Sequence, residues 1–363
     1  MSTRRDFLKT TAAATLLPSV IRAQAPARKI GYCIVGLGRI SLNQFMPGIA
    51  GTQNSRIVAI VSGHRDKAEK TAALYGVSTS AIYDYGHYDD IAKNPDIDAV
   101  YIALPNGMHA EYTVRAARAG KHVLSEKPMA NTVRECEQMV AACKQAQRKL
   151  MIAYRCRYQG THLRAVQICH DGSIGDLRFI EATFGFNIAK GEWRLTKKLA
   201  GGGPLMDVGI YCLNACRYLT GEEPRSLSAS SSVVSPDGRF TEVEENVFWN
   251  MRFPSGVVAT CATSYGSNCG NFFKAVGTKG WVQMDPAYSY DGLRFKAHLA
   301  AGLDIDTPVD DASPKQFTRE ADHFSQCILE NKDPRTPGEE GLRDMKLIEA
   351  IYKSATADKP VAV

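Results

Sequence analysis

A glycine-rich turn near the beginning of the chain constrains the fold more than any other feature. An apolar run at residues 29–35 leads into a G-x-G-x-x-S motif formed by Gly36, Leu37, Gly38, Arg39, Ile40 and Ser41. Where such a motif joins a strand to a helix, the first glycine makes the tight turn. The second lets the backbone approach a diphosphate at the helix N-terminus. The motif therefore predicts that residues 36–40 bind a dinucleotide.

The segments around this motif alternate between apolar and helical patterns. Short runs rich in Val and Ile, without polar alternation, are typical of strands covered on both faces. They occur at residues 29–35, 56–61, 99–103, 121–124 and 150–153. Helical patterns separate them at residues 42–50, 66–75, 110–119 and 132–147. This alternation predicts a doubly wound parallel sheet, a Rossmann domain, at residues 26–154.

The pattern changes after about residue 155. A helix at 161–170, a strand at 177–186 and a helix at 206–219 precede six successive strands at 227–234, 245–253, 256–265, 271–276, 281–284 and 292–296. Strands without helices between them favour antiparallel hairpins. Two helices, at 316–331 and 338–357, end the chain. We therefore predict a second α/β domain at residues 155–363, with a large open, mainly antiparallel sheet for substrate binding and oligomerisation.

Composition is that of an ordinary globular protein, with 44% hydrophobic and 23% charged residues among 363. Residues 1–25 supply +3 of the net charge of +6, and the remainder has no basic cluster, so nucleic acid is not an expected partner. No long uncharged apolar run predicts a membrane span. The ten cysteines show neither a Cys-x-x-Cys pair nor zinc-ligand spacing, so we expect mostly free, buried thiols and no metal.

The first 25 residues resemble a twin-arginine signal peptide. Arg4 and Arg5 lie in the segment STRRDFLK, a mildly apolar stretch follows at residues 10–21, and Ala23-Gln24-Ala25 has a small-x-small cleavage pattern. A basic N-terminal tail is the alternative interpretation. We expect the leader to be removed and the remaining chain to reach the periplasm already folded.

The end of the second predicted strand carries hydrogen-bond donors instead of an acid. An NAD-binding domain has Asp or Glu there to hold the ribose hydroxyls. This chain instead has Ser62, Gly63, His64, Arg65 and Lys67. An ordinary polar loop is the alternative, but such donors suit a 2′-phosphate. We therefore predict NADP(H), bound in part by Ser62, Gly63, His64 and Lys67.

Two further strand ends should border the same cofactor, since ligands of doubly wound sheets lie outside the carboxyl ends of the strands. The first is followed by Leu104, Pro105 and Asn106. His109 lies close by and could equally be a helix-start residue without a chemical role. The second end carries Glu126, Lys127 and Pro128, and it would place the Lys127 ammonium beside the nicotinamide.

Asp207 and Tyr211 are four residues apart on the predicted helix 206–219, so a carboxylate and a phenol share one face. A free phenol has a pKa near ~10 and is a poor proton shuttle at neutral pH. A neighbouring Lys127 ammonium would lower that pKa, and the pair could then accept the proton of a substrate hydroxyl. Two partly buried polar residues without chemistry are the alternative.

Together these motifs resemble the Gfo/Idh/MocA oxidoreductases, and within them the branch of glucose–fructose and aldose–aldose oxidoreductases. The matching segments are GLGRI, SGHRDK, EKP, YRCRYQ, EWRLTKKLAGGG, GGGPLMDVGIY, CRYLTGEEP and TPGEEG. The resemblance implies that Lys127, Asp207 and Tyr211 are catalytic. It implies further contacts with cofactor or sugar from Tyr85, Glu126, Tyr154, Arg155, Tyr158, Trp193, Arg194 and Tyr290.

The resemblance also implies monosaccharide substrates and a homodimer, or a tetramer, formed through the open sheet. A periplasm supplies no NADPH, so an exported enzyme of this kind should hold NADP(H) tightly, without a covalent bond, and regenerate it. One aldose would become an aldonolactone and a second sugar an alditol. The alternatives are a conventional aldose 1-dehydrogenase that releases NADP, and a non-catalytic sugar or dinucleotide sensor.

Overall fold

The computed structural model describes residues 28–309 and 314–363. The predicted signal peptide, residues 1–25, lies outside the described residues, so its assignment stays a prediction. Within the described ranges, no helix has the length and apolar character needed to cross a bilayer.

The first sheet contains six parallel strands. They are β1 (Ile30–Val35), β2 (Ser55–Val61), β3 (Ile82–Tyr83), β4 (Ala99–Ile102), β5 (His122–Glu126) and β6 (Leu150–Ala153). Their order, β3-β2-β1-β4-β5-β6, is that of a Rossmann domain. Every residue of β1, β4 and β6 is buried, as expected for strands covered on both faces. Strand β3 was not predicted, because two residues leave no recognisable pattern.

Helices cover both faces of this sheet. They are α1 (Met46–Ala50), α2 (Arg65–Tyr75), α3 (His109–Arg118) and α4 (Val133–Gln145). The predicted helix 42–50 begins instead with a π-helical turn at Ser41–Phe45. There the buried Ser41 hydroxyl donates to the Gly36 carbonyl at 2.6 Å, which ties the first helix to the glycine-rich turn.

The second sheet has nine strands. They are β7 (Leu177–Gly185), β8 (Ser226–Ser232), β9 (Asn246–Arg252), β10 (Val258–Ser264), β11 (Gly270–Gly277), β12 (Trp281–Met284), β13 (Arg294–His298), β14 (Asp304–Pro308) and β15 (Val361–Ala362). Their order is β14-β13-β12-β11-β7-β10-β9-β8-β15. The sheet is antiparallel except where β7 pairs parallel to β10. This exception arises because β7, from an earlier part of the chain, inserts between β10 and β11.

Five helices complete the described chain. They are α5 (Gly160–His170), α6 (Lys197–Ala200), α7 (Ile210–Thr220), α8 (Lys315–Leu329) and α9 (Gly338–Ala357). Helices α5 and α7 pack on the second sheet, whereas α8 packs on α1, β1 and β2 and α9 packs on α4 and β6. Helix α9 also contacts β8 of the second sheet, so it joins the two sheets and holds the two halves together.

Candidate active site

The carboxyl ends of three parallel strands face one segment of the second half of the chain. After β1, an Arg39 guanidinium nitrogen lies 3.1 Å from Glu192 Oε1. After β4, Asn106 Nδ2 donates to the Ala200 carbonyl at 2.9 Å. After β5, Lys127 Nζ donates to the Asp207 carbonyl at 2.7 Å. A cleft along this edge is thus bounded by both halves.

The glycine-rich turn has the shape that a diphosphate requires. Gly36 has φ +93°, and a Cβ there would lie 2.6 Å from the Ala103 carbonyl oxygen, so only glycine fits. A Cβ on Gly38 would meet nothing closer than 4.0 Å, which leaves open space above the backbone for a ligand. Lys67 Nζ donates to the Leu37 carbonyl at 2.6 Å and steadies the turn.

The end of β2 offers donors and carries no carboxylate at residues 62–64. The buried Ser62 hydroxyl accepts from the His64 amide at 3.1 Å, and His64 itself is exposed. The Tyr85 ring covers Gly63, where a Cβ would lie 3.2 Å from Tyr85 Cε2. Arg65, also expected as a donor, instead binds Glu69 at 2.7 Å and two backbone carbonyls. The remaining donors fit a ribose 2′-phosphate.

For His109 the sequence left two roles open, a contact with the cofactor and a helix-start residue without a chemical role. Its ring is 1% exposed, and its two nitrogens lie 2.9 Å from the carbonyls of Pro128 and Leu104. Burial lowers its pKa. The two hydrogen bonds of His109 therefore join the loops that follow β4 and β5. They position the backbone of Leu104 and Pro105, which border the cleft.

Glu126, the last residue of β5, is buried. Its Oε1 accepts from the Tyr101 hydroxyl at 2.6 Å. Burial raises its pKa, although the Tyr101 hydrogen bond and the neighbouring charges of Lys127 and Arg155 oppose that shift. This carboxyl is fixed at the inner end of the cleft, immediately before Lys127.

Three donors surround the Asp207 carboxylate. Arg194 Nε lies 3.0 Å from Oδ2, the Tyr265 hydroxyl donates to Oδ2 at 2.7 Å, and Lys127 Nζ lies 3.4 Å from Oδ1. Burial alone would raise the pKa of Asp207, but Arg194, Lys127 and Tyr265 together hold it below its usual value. Asp207 is therefore a carboxylate that keeps the Lys127 ammonium in place.

Lys127 lies beside Tyr211, but the Tyr211 hydroxyl pairs with an arginine, which was not predicted. Arg155 Nε donates to it at 3.1 Å, whereas Lys127 Nζ lies over the ring, 4.5 Å from its centroid. Burial raises the pKa of Tyr211 well above its ordinary value, and Arg155 only partly offsets this. The expectation of a lowered pKa is thus wrong, because desolvation outweighs the nearby cation.

Hydrogen bonds and a ring contact fix the position of the Arg155 guanidinium. It donates to Gln316 Oε1 at 3.0 Å and to the Tyr288 carbonyl, and its guanidinium lies 4.5 Å from the centroid of the Tyr290 ring. Burial raises the pKa of Tyr290 to about 12. These contacts aim one guanidinium N–H at the phenol oxygen.

The segment that carries Asp207 is not the regular helix predicted for 206–219. A π-helical turn spans Leu205–Gly209, and α7 begins at Ile210. Glu244 holds the start of this turn by accepting from the amides of Gly203 at 3.0 Å and Leu205 at 3.4 Å. The wider turn still leaves Asp207 and Tyr211 on either side of the Lys127 ammonium.

Trp193 and Arg194 lie at the rim of the cleft, where the Arg194 guanidinium is 4.7 Å from the Trp193 ring centroid. Tyr158, expected near the sugar, does not line the cleft. It is buried, and its hydroxyl lies 3.1 Å from Thr336 Oγ1. Tyr154 is likewise buried, beside Asp344, which contributes to its raised pKa after the larger effect of burial. Both tyrosines stabilise the interior.

Sequence reasoning missed several residues of the site, namely Glu192, Tyr265, Tyr288 and Gln316. Tyr265 and Glu192 had weak signals, since Tyr265 ends a predicted strand and Glu192 belongs to the quoted EWR segment. Tyr288 and Gln316 had none. Across the described ranges, no group of three or more His, Cys, Asp or Glu side chains could hold a metal ion, and nine of the ten free cysteines are buried.

A Rossmann sheet whose carboxyl edge meets an ammonium, a carboxylate and a phenol defines a dinucleotide-dependent oxidoreductase. Residues 30–154 match the model of an oxidoreductase family with an NAD-binding Rossmann fold, and residues 162–283 match the GFO/IDH/MocA C-terminal domain. The chain belongs to the Gfo/Idh/MocA oxidoreductase family, as its motifs predicted.

Several characterised proteins are similar along nearly the whole chain. The aldose-aldose oxidoreductase of Caulobacter crescentus, whose crystal structure contains glycerol, is 45% identical with a TM-score of 0.89, covering 93% of this chain and all of its own. The NADP-dependent D-xylose 1-dehydrogenase of Haloarcula marismortui is 31% identical over 340 residues, 92% of each chain. A 3-ketoreductase of Actinomadura kijaniata, 23% identical over 90% of this chain and 98% of its own with a TM-score of 0.79, shows the fold alone.

Proposed function

We propose that this protein is an NADP-dependent sugar oxidoreductase that keeps its cofactor bound. It oxidises C1 of one aldose to an aldonolactone and reduces a second sugar to an alditol. The observation that carries the proposal is the convergence of Lys127, Asp207 and Tyr211 at the carboxyl edge of the Rossmann sheet. The names of an aldose-aldose oxidoreductase and a D-xylose dehydrogenase among its relatives support the substrate class.

When bound, NADP(H) supplies the hydride acceptor and donor for C1. The turn at residues 36–40 would hold its diphosphate, and Ser62, His64 and Lys67 would face the 2′-phosphate, with Tyr85 beside them. The nicotinamide end would be positioned by Glu126, Arg155, Trp193, Arg194 and Tyr290.

Tyr211 moves the proton in this proposal. As C1 of the first sugar loses hydride, its hydroxyl proton passes to the Tyr211 phenolate, and the resulting phenol later protonates the carbonyl oxygen of the second sugar. The proton and the hydride are therefore both conserved over one cycle. Lys127 uses two of its three N–H bonds on Asp207, and the third is available to a substrate oxygen.

We expect the two half-reactions to differ in their pH dependence. Burial keeps the Tyr211 pKa above its ordinary value, so the phenolate that sugar oxidation needs is a minor form that grows with pH. The oxidation rate constant should rise by up to about tenfold per pH unit between about pH 6 and 9, while the reduction, which needs the phenol, should stay level. Stopped-flow nicotinamide absorbance measures both, and level profiles in both directions would contradict this role of Tyr211.

We expect Ser62→Asp to reverse the cofactor preference. A carboxylate at the end of β2 would repel a 2′-phosphate and accept hydrogen bonds from ribose hydroxyls, so NADP affinity should fall about 10²-fold relative to NAD. Titration by nicotinamide fluorescence checks this. Ser80→Asp adds the same charge on an exposed turn and should leave the preference unchanged.

Successive addition of two aldoses without added cofactor tests the function. The nicotinamide absorbance of the purified protein should change with the first aldose and return with the second. The NADP-dependent D-xylose dehydrogenase among the relatives favours one alternative, a dehydrogenase that exchanges its cofactor. In that case dialysis removes the absorbance, and turnover needs added NADP.

Assembly and location are also proposed. A homodimer through the outer face of the nine-stranded sheet is supported by two phenylalanines there, Phe179 and Phe248, which are 42% and 54% exposed. Export through the twin-arginine pathway is supported by the leader sequence at residues 1–25 and by a function that needs no external NADPH.

A further inference from the structure

A segment of the second half crosses the cleft, and we call residues 187–200 the strap. Two of its residues, Ile188 and Leu195, are anchored in a small buried cluster completed by Val208, Phe240, Val243 and Tyr265. Near the first anchor, Arg239 donates to Asn187 Oδ1 at 2.6 Å. The part between the anchors is exposed at Lys190 and Gly191 and then turns toward the Rossmann domain at Glu192.

Glu192 binds one arginine from each half of the protein. Its Oε1 lies 3.1 Å from the Arg39 guanidinium on the glycine-rich turn, and its Oε2 lies 3.8 Å from the Arg194 guanidinium. Arg194 in turn contacts Asp207 at 3.0 Å. A row of alternating charges thus runs from the outer end of the cleft, where Arg39 is 87% exposed, to the carboxylate that holds Lys127.

The C-terminal end of the strap is held by hydrogen bonds to its backbone carbonyls. Asn106, after β4, donates to the Ala200 carbonyl, and Asn131 donates to the Lys198 carbonyl at 3.0 Å. A dinucleotide on the carboxyl edge of the sheet would therefore lie under the strap, since its diphosphate site at residues 36–40 is beneath the Arg39–Glu192 contact. With a dinucleotide bound in this way, the contact would have to open before the diphosphate could leave.

We propose that Glu192 is a latch, a positioning residue that keeps the strap closed over NADP(H) and thereby slows its release. The inference rests on the proposed NADP binding. Glu192 makes no step of the chemistry itself. Its carboxylate closes the strap by binding Arg39. It also binds Arg194, which contacts Asp207.

Removing the charge of Glu192 should change NADP(H) binding in opposite directions for a latch and for a general electrostatic influence. NADP(H) is an anion, so removing a negative charge nearby would by itself strengthen its binding. Loss of a latch has the opposite result, because the strap opens more often and the cofactor leaves faster. Glu192→Gln keeps the size of the side chain and removes only its charge, so it distinguishes the two.

The experiment measures the dissociation rate constant of NADPH from wild type, Glu192→Gln and Lys190→Gln, using the fluorescence of bound NADPH after mixing with excess NADP⁺. Lys190 is the matched control, an exposed residue two positions away on the same strap. We expect Glu192→Gln to release NADPH about three- to fivefold faster and Lys190→Gln to behave as wild type. Thermal unfolding of the three proteins verifies that each is folded.

Unchanged or slower release from Glu192→Gln overturns the latch, as does equally accelerated release from Lys190→Gln. A wild-type protein that loses NADP(H) during gel filtration would instead overturn the proposed retention of the cofactor. The two failures are distinguishable, because the ratio of rate constants between variant and wild type is measured in either case.

Discussion

Tyr211→Phe should lower the rate constant of both hydride-transfer half-reactions about 10³-fold and leave NADP(H) bound. The phenol oxygen, which Arg155 Nε contacts at 3.1 Å, is the group proposed to exchange the proton with both sugars. The ring remains in the variant, so the cation contact with Lys127 and the packing against Phe184 persist. Stopped-flow nicotinamide absorbance with each sugar measures the loss, and nicotinamide fluorescence checks that cofactor affinity changes little.

Tyr218→Phe is the matched control for this experiment. Tyr218 lies on the same helix, α7, is also buried, and directs its hydroxyl to His162 at a distance of 2.8 Å. Its loss should cost stability and leave turnover within a few-fold of wild type. Full turnover by Tyr211→Phe would remove the phenol from the mechanism. A wild-type protein that shows no turnover with any aldose would favour the sensor interpretation.

Lys127→Met should lower kcat by about 10²–10³-fold, because the variant loses the donor proposed to bind the substrate oxygen. It should also raise the pKa of Asp207, since Lys127 is one of the cations that hold it down. Steady-state kinetics with an aldose pair measures kcat, and cofactor titration separates a catalytic loss from a binding loss.

Lys121→Met provides a close comparison, because Lys121 and Lys127 flank the two ends of β5. Lys121 is buried and donates to the carbonyls of Asn94 and Ile97, both at 2.9 Å, far from the cleft. We expect that variant to unfold at a lower temperature and to keep its kcat. If Lys127→Met behaved in the same way, the ammonium would be a structural group only.

Much of the fold was predictable because its elements leave local patterns. Parallel strands buried on both faces form continuous apolar runs, and the turn after β1 requires a glycine at residue 36. The parallel pairing of β7 with β10 was not predictable, since it depends on where an earlier strand inserts. The π-helical turns at Ser41–Phe45 and Leu205–Gly209 differ from a regular helix by one residue in the spacing of their hydrogen bonds, and that difference leaves no recognisable pattern.

The candidate site likewise contains features that the sequence predicts and features that it does not. Lys127, Asp207 and Tyr211 were assigned to one site because each belongs to a recognisable motif, and the structure brings the three together. That Arg155 contacts the Tyr211 oxygen while Lys127 lies over the ring was not predicted, because charge type alone does not tell which cation reaches the oxygen and which reaches the ring. The direction of the Tyr211 pKa shift was wrong because burial is a property of the packed protein. His109 was considered for its position after a strand end and Tyr158 for the family resemblance, and the burial of both side chains is a property of the packed protein.

One contact of Lys127 has a consequence for how such sites can change over evolution. The shorter of its two bonds to residue 207, at 2.7 Å, goes to the main-chain carbonyl, while the carboxylate oxygen is 3.4 Å away. Every amino acid has that carbonyl, so one of the two bonds that hold the ammonium does not depend on which side chain stands at 207. A related enzyme with another residue at this position would keep that bond and lose only the contribution of the carboxylate.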